Sequence, residues 1–535
     1  MNLEDLNVDG RSARIEFNYW GGLDFPNDEN DHVVNFKIND QVLGSDTFDG
    51  VIERNKEFPI DVSNLVVNSS VNIEVPATTI NQIDIVSVES IALTYPALFN
   101  ARDNQFTFTS ENDNFKVSGF SDKSLQLFVL SDYGIVKLKK FKTGTFEGKN
   151  QVIFSGLNGL NTYFISTDGS VLKPQMKFSS SEPVNVEATE HLIISHADFI
   201  GPELIDYAND TRQNYRVVNV ENIYHRYSNK IPDGEAIKTF IQDTAAIGEL
   251  KSILIVGGDN YDYNNNLGLD VISFVPTIYR ETDKLIKYSA VDALFGDTNN
   301  DDIPDVAVGR LPVRTQAELS AILNKSLAYN NQSYNPSVVL AADDSDGYDA
   351  YDFSLSSDLI AYQFDNANWN VEKAYLDSLP LEAARNLLIG ELNSGARLAM
   401  YTGHSSSKRW AFEGIFRNSD VNNLMNENNP FGIVQWGCWN TYFVHPEEDS
   451  LGHAFMLSGN KGAAFVMGAS TLTNASEESR FSSLFNIYML ANDLTIGEAM
   501  TQAKYEYNNE SNQLHKDILW GISLLGDPLT KINAE

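Results

Sequence analysis

The hydrophobic pattern of this chain changes period near residue 187, and that change limits the folds open to it. Before it, apolar and polar residues alternate: Ile15, Phe17 and Tyr19 are interleaved with Arg14, Glu16 and Asn18. A period of two puts every second side chain on one face of a half-buried strand. The alternation returns at Val71-Ile73-Val75, Phe106-Phe108, Leu125-Leu127 and Val136-Leu138, and polar turn clusters at 27–31 and 110–114 separate the runs. Short strands so spaced predict an all-β, sandwich-like region over residues 1–186. No chemistry stands out in it.

Beyond residue 187 the apolar runs become continuous, as at Leu192-Ile193-Ile194, Ile253–Val256 and Val338–Leu340. Strands buried on both faces read this way. Helical stretches lie between them. One starts at Asp233 and carries Ile237, Phe240, Ile241 and Ala245 on one face; another starts at the capping-box pair Thr315 and Glu318 and runs through Leu319, Ile322, Leu323 and Leu327. Alternating strands and helices predict an α/β unit with a mostly parallel sheet covered by helices. The polar stretch 329–336 is a seam between two α/β halves. The expected domains are therefore 1–186, a first α/β subdomain at 187–334 and a second at 335–535, in keeping with a chain of 535 residues.

Charge excludes one class of partner. With 73 acidic against 38 basic residues the net charge is −35, a field that repels phosphate backbones and argues against nucleic acid. No apolar run has the length of a membrane helix and no basic-apolar leader follows Met1. The chain reads as cytoplasmic, or as part of an exported protein whose leader has been removed. The single cysteine cannot form an internal disulfide, which draws attention to Cys438 itself.

Open parallel sheets bind ligands outside the carboxyl ends of their strands. Leu398–Thr402 runs into Gly403 and His404, and Phe431–Trp436 runs into Gly437 and Cys438; a third run, Ala463–Met467, ends at Gly468-Ala469-Ser470. If the first two strands are neighbours, an imidazole and a thiol emerge together. A histidine beside a thiol raises its thiolate fraction and later protonates a leaving amine. The main-chain N–H groups of Ser405 and Cys438 are placed to hold an oxyanion. Against this stands the ordinary fate of a lone cysteine, which is to be a small buried apolar residue. His196, His445 and His453 compete for the part given to His404.

A second cluster is independent of the first. Asp297, Asn299, Asp301 and Asp305 occupy positions 1, 3, 5 and 9 of one stretch, and the carbonyl of Ile303 adds a fifth oxygen, a spacing that wraps a hard cation and points to structural Ca²⁺. It departs from the usual loop at Asp302, where glycine is expected, and no glutamate closes it. The plain alternative is an acidic hydrophilic turn.

Several segments, in this order, resemble the gingipain-type cysteine peptidases: Ile223–Ser228, Leu254–Asp259, Ile303–Pro312, Tyr401–His404, Trp436–Asn440 and Leu525–Pro528. The likeness covers about 187 to 535, and the interval between His404 and Cys438 is close to the family's. It implies a caspase-like fold in two subdomains, protein or peptide substrates, an extracellular or cell-surface setting, Cys438 as nucleophile and His404 as general base and acid. It also implies a carboxylate beside the histidine, filled here by Asp343 or its neighbour Asp344, with Asp343 preferred. In the best-known members an acidic residue in the first specificity pocket selects arginine or lysine; Asp352 lies near that stretch, and Ser470 near the strand end that faces it. Two departures alter the pocket's shape: Ser405 follows the histidine where the family commonly has glycine, and Trp436 and Trp439 flank the cysteine. The same dyad serves an endopeptidase or a surface transpeptidase, and a calcium-stabilised adhesion or scaffold module on a degraded protease fold is the third reading.

Overall fold

The computed structural model describes the chain except residues 10–11, 25–29, 77–83, 132–133, 172–183, 185, 334, 346–350, 492–493, 512 and 533–535. Part of the turn cluster at 27–31 and residue 334 of the seam thus lie outside the described residues. The chain divides into two compact units, Met1–Phe178 and Ser179–Glu535. The first is all-β, and the alternation read from the sequence appears as burial: in Ala13–Gly21 every second residue, including Ile15, Phe17 and Tyr19, is buried. It contains two apolar cores, one around Phe17, Phe36 and Phe48, the other around Phe115, Val129 and Tyr163. Each is enclosed by a pair of antiparallel sheets.

The second unit is built on one ten-stranded sheet. Its strands are β1 (His191–Ser195), β2 (Tyr215–Asn219), β3 (Ser252–Val256), β4 (Ala307–Leu311), β5 (Ser337–Ala342), β6 (Asn370–Tyr375), β7 (Leu398–Thr402), β8 (Phe431–Trp436), β9 (Ala463–Ala469) and β10 (Ile522–Leu525). Their order across the sheet is β2-β1-β3-β4-β10-β9-β8-β7-β5-β6. Neighbours are parallel except at β9/β10, which are antiparallel. The two halves of the sheet therefore run in opposite directions, and β5, β7, β8 and β9 share one carboxyl edge.

Helices explain why the apolar runs are continuous. Leu192 and Ile194 face one core while Ile193 faces the other; Leu398 and Met400 divide from Ala399 and Tyr401 in the same way. Each buried aliphatic side chain contributes about 1.5–3 kcal/mol to holding the layers together. Among the helices are α1 (Gly234–Ala245), capped by Asp233, and α2 (Gln316–Asn331), whose Thr315–Glu318 capping box forms as expected. Two others border the site, α3 (Phe353–Asn366) and α4 (Ala475–Met489), whose Phe364, Phe481 and Phe485 pack on one face of the sheet.

The conspicuous sequence segments turn out to lock the half-sheets to each other. Arg310 on β4 is fully buried, clasped by Asp292 at 2.5 and 2.8 Å, and donates to the carbonyls of Gly257 and Val275 at 2.7 and 2.8 Å. Its guanidinium also sits 4.9 Å from the centre of the Phe443 ring, in the loop that follows Cys438. A Cβ on Gly309 would meet the Gly526 carbonyl at 2.3 Å, so only glycine lets β4 approach the end of β10.

Candidate active site

β7 and β8 are direct neighbours, paired from Leu398–Gly432 to Thr402–Trp436. The chain therefore leaves the sheet at two adjacent points, as Gly403-His404 and as Gly437-Cys438. Contact dictates both glycines. A Cβ on Gly403, whose φ is +154°, would lie 2.4 Å from the Asp343 Cβ; one on Gly437 would lie 2.4 Å from the Gly403 carbonyl and 2.6 Å from Ser405 Oγ. Ser405 uses its extra atoms well: its hydroxyl donates to the Cys438 carbonyl at 2.7 Å and ties the two strand ends together.

Asp343 continues β5, and its own N–H donates to the Thr402 carbonyl at 3.0 Å. Its carboxylate accepts from the main-chain N–H of His404 at 3.0 Å and of Asp344 at 3.1 Å. It thus anchors the backbone that carries the imidazole. Burial, then the facing carboxylates of Asp344 and Glu413, push Asp343 up to about 7 against the pull of those two N–H groups. The His404 ring lies edge-on to Phe353, 5.1 Å between centres, with Phe412 at 6.0 Å.

Cys438 is half-buried. Its Sγ lies 3.5 Å from the Thr473 N–H nitrogen, 3.6 Å from Thr473 Oγ1 and 3.8 Å from the Thr473 carbonyl. Burial and the nearby Glu478 and Asp517 push the thiol up, while the N–H and hydroxyl of Thr473 pull it down. His404 and Cys438 line one cavity of about 360 Å³ together with Phe353, Thr473, Asn474 and Glu478. Glu478 is only 5% exposed, its Oε1 has no hydrogen-bond partner, and burial pushes its carboxyl up to about 8. The chemistry such a pair offers begins with a proton passing from thiol to imidazole. That yields a thiolate able to attack a carbonyl carbon and an imidazolium able to protonate the amine that leaves.

Some expected residues lie elsewhere. Ser470 is fully buried, its hydroxyl donating to the Ala290 carbonyl at 2.5 Å with the Gly521 carbonyl 3.1 Å away, so it fastens β9 to its surroundings and is closed to substrate. Asp352 is exposed and caps α3 by accepting from the Leu355 N–H at 2.7 Å; its neighbours Tyr351 and Phe353 line the cavity instead. Trp436 packs against Phe481 and Phe485, away from the cavity lining. The competing histidines are accounted for: His453 is buried and pushed down to about 4, His196 accepts from the Asp198 N–H, and His445 stands against Tyr261. Thr473 and Glu478 were not anticipated. The signal for them was the N-cap Asn474 following the third strand, which starts a helix at the site's edge.

The acidic loop at 297–305 folds back on itself. Asp297 Oδ1 and Asn299 Oδ1 both accept from the Asp301 N–H, and Asn299 Nδ2 lies 3.2 Å from Asp301 Oδ2 and 3.2 Å from Asp305 Oδ1. The loop carries the oxygen ligands a hard cation takes, but Asp301 Oδ2 and Asp305 Oδ1 are engaged by the Asn299 amide rather than gathered on one point. The outer oxygen of Asp297 is taken by Lys238 at 2.7 Å. Among the described residues no helix is long and apolar enough to cross a membrane.

The fold and this cavity define a cysteine peptidase. Residues 185–533 match the model of peptidase family C25, and the chain belongs to that family. Its substrates are accordingly proteins. Among solved structures it is similar to the complex of the pro- and mature domains of Porphyromonas gingivalis RgpB, with 18% identity, TM-score 0.54, and coverage of 64% of this chain and 79% of that one. It is equally similar to the Arg-specific cysteine proteinase gingipain R, with 17% identity, TM-score 0.54, and coverage of 66% and 80%. These likenesses confirm the caspase-like fold. No curated protein matches the sequence significantly.

Proposed function

We propose that the chain is a secreted or surface endopeptidase that cleaves through a Cys438–His404 dyad and an acyl-enzyme intermediate. The observation that carries the reading is that the only cysteine and a histidine share a cavity at the carboxyl edge of two adjacent parallel strands. His404 takes the thiol proton, the thiolate attacks the scissile carbonyl, and the N–H groups of Ser405 and Cys438 hold the oxyanion. The imidazolium then protonates the leaving amine, and water releases the acyl group from sulfur. Asp343 supports the histidine through its backbone and, when ionised, favours the imidazolium. The loop of Asp297, Asn299, Asp301, Ile303 and Asp305 binds calcium, whose part is to hold the turn beneath α1.

Digestion of a peptide library by the wild type and by Cys438→Ala tests this. Hydrolysis should vanish in the variant, and undiminished cleavage would sink the dyad. Adding a primary amine separates transpeptidation from hydrolysis by product mass. A scaffold role would show as no turnover by the wild type under any condition that supports its fold.

A further inference from the structure

The environment of the sulfur contains more than the dyad, and what it contains deepens the peptidase reading, on which the following rests. The three Thr473 atoms near Sγ play different parts in its two charge states. A thiol can donate its proton to the Thr473 carbonyl. A thiolate cannot, and is held instead by the Thr473 N–H and hydroxyl, both of which can donate. The hydroxyl, however, has only one proton to give. Its other neighbour is the carboxyl of Glu478, which lines the same cavity with its Oε1 buried and without a partner, and whose hold on its proton that hydroxyl and the Gly437 N–H weaken. A neutral carboxyl leaves the hydroxyl proton to the sulfur. An ionised one draws that proton to itself and sets a second negative charge beside the thiolate, in a cavity where water screens little.

We infer that Thr473 and Glu478 are positioning residues that gate the nucleophile: Thr473 donates to the thiolate only while the Glu478 carboxyl is protonated. The gate is sealed by the elements around it. Asp517, on the helical turn Lys516–Leu519, adds negative charge near Glu478; Tyr401 of β7 lies within reach of the same field; and His404 faces the cavity from the other strand end. The adjacent Glu477 is engaged elsewhere, accepting from Tyr507 at 2.5 Å with His515 at 3.9 Å. Burial places the carboxyl's proton loss near pH 8, inside the working range of a thiol enzyme.

Because Cys438 is the only cysteine, alkylation by iodoacetamide reads its thiolate directly, whether or not any peptide is cleaved. Failure of the gate is thereby separable from failure of the peptidase assignment. The wild-type alkylation rate should rise with pH and flatten near pH 8 as Glu478 ionises. Glu478→Gln should remove the flattening and speed alkylation at pH 8.5 by about three- to ten-fold. Thr473→Val should slow alkylation at pH 7 by a similar factor, and Thr473→Ser should restore it. A smooth wild-type profile with no break near pH 8 overturns the inference and needs no variant to fold. So does a Thr473→Ser protein as slow as Thr473→Val. A Glu478→Gln protein that alkylates like the wild type but loses cleavage after basic residues also overturns it, making Glu478 a substrate anchor.

Discussion

Replacing Gly437 by alanine tests the geometry of the site most directly. The new Cβ would stand 2.4 Å from the Gly403 carbonyl and 2.6 Å from Ser405 Oγ, where ordinary contact begins at 3.4 Å. Neither neighbour can simply swing aside. The Gly403 carbonyl belongs to main chain fixed by its own N–H bond to Trp436 at 3.0 Å, and Ser405 Oγ is bonded to the Cys438 carbonyl. The turn bearing His404 must therefore move by about 1 Å relative to Cys438, and misplacement on that scale costs roughly 100-fold in rate. Overpacking of this kind costs about 1–3 kcal/mol. With an unfolding entropy of about 2.1 cal/mol/K per residue, a unit of this size should lose only about 1–4 °C in Tm. The assay is kcat/KM on a peptide the wild type cleaves, with a thermal melt on the same sample. The expected result is a fall of about two orders of magnitude, mainly in kcat, with a modest drop in Tm. Gly390→Ala is the control: nothing lies within 4 Å of a Cβ there, in the helix Leu381–Ser394, and the change should be neutral or stabilising by up to about 1 kcal/mol. If Gly437→Ala keeps kcat/KM within about threefold of the wild type, the claim that this contact sets the spacing of the two side chains is wrong.

Stability should carry the signature of Glu478. It holds its proton more tightly folded than unfolded, so stability falls as pH rises from its ordinary 4.5 to about 8 and then levels. Glu478→Gln removes that loss, and its Tm advantage over the wild type should widen from pH 5 to pH 8, bounded by about 5 kcal/mol at 1.36 kcal/mol per pH unit; a gap that stays constant across this range would contradict it. Millimolar calcium should raise Tm, by about 2.7 kcal/mol of stability at a hundredfold excess over Kd, and Asp301→Ala should abolish the increment. Asp292→Ala strands the buried Arg310 guanidinium and should cost about 3–5 kcal/mol by denaturant titration, far more than removal of the exposed Arg14–Glu57 pair.

The sequence by itself determined whatever depends on neighbours along the chain. The period of two at Arg14–Tyr19, the doubly buried runs at Ile253 and Val338, the Thr315–Glu318 cap and the glycines before His404 and Cys438 are local signals, and each forms the structure it predicted. That His404 and Cys438 would meet was legible because each directly follows a strand, and parallel neighbours must deliver their ends to one edge. Strand order was not legible, since apolar runs as alike as those of β3, β5 and β7 do not name their partners. Only packing between layers inserts β10 between β4 and β9 and turns half the sheet around. The same non-local packing closes Ser470 off, gives Asp297 to Lys238, brings Thr473 against the sulfur from the far end of β9 and sets the buried Glu478 in the same cavity. Chemistry at the ends of strands is written in the sequence; the surroundings that tune it are decided by which strand lies next to which.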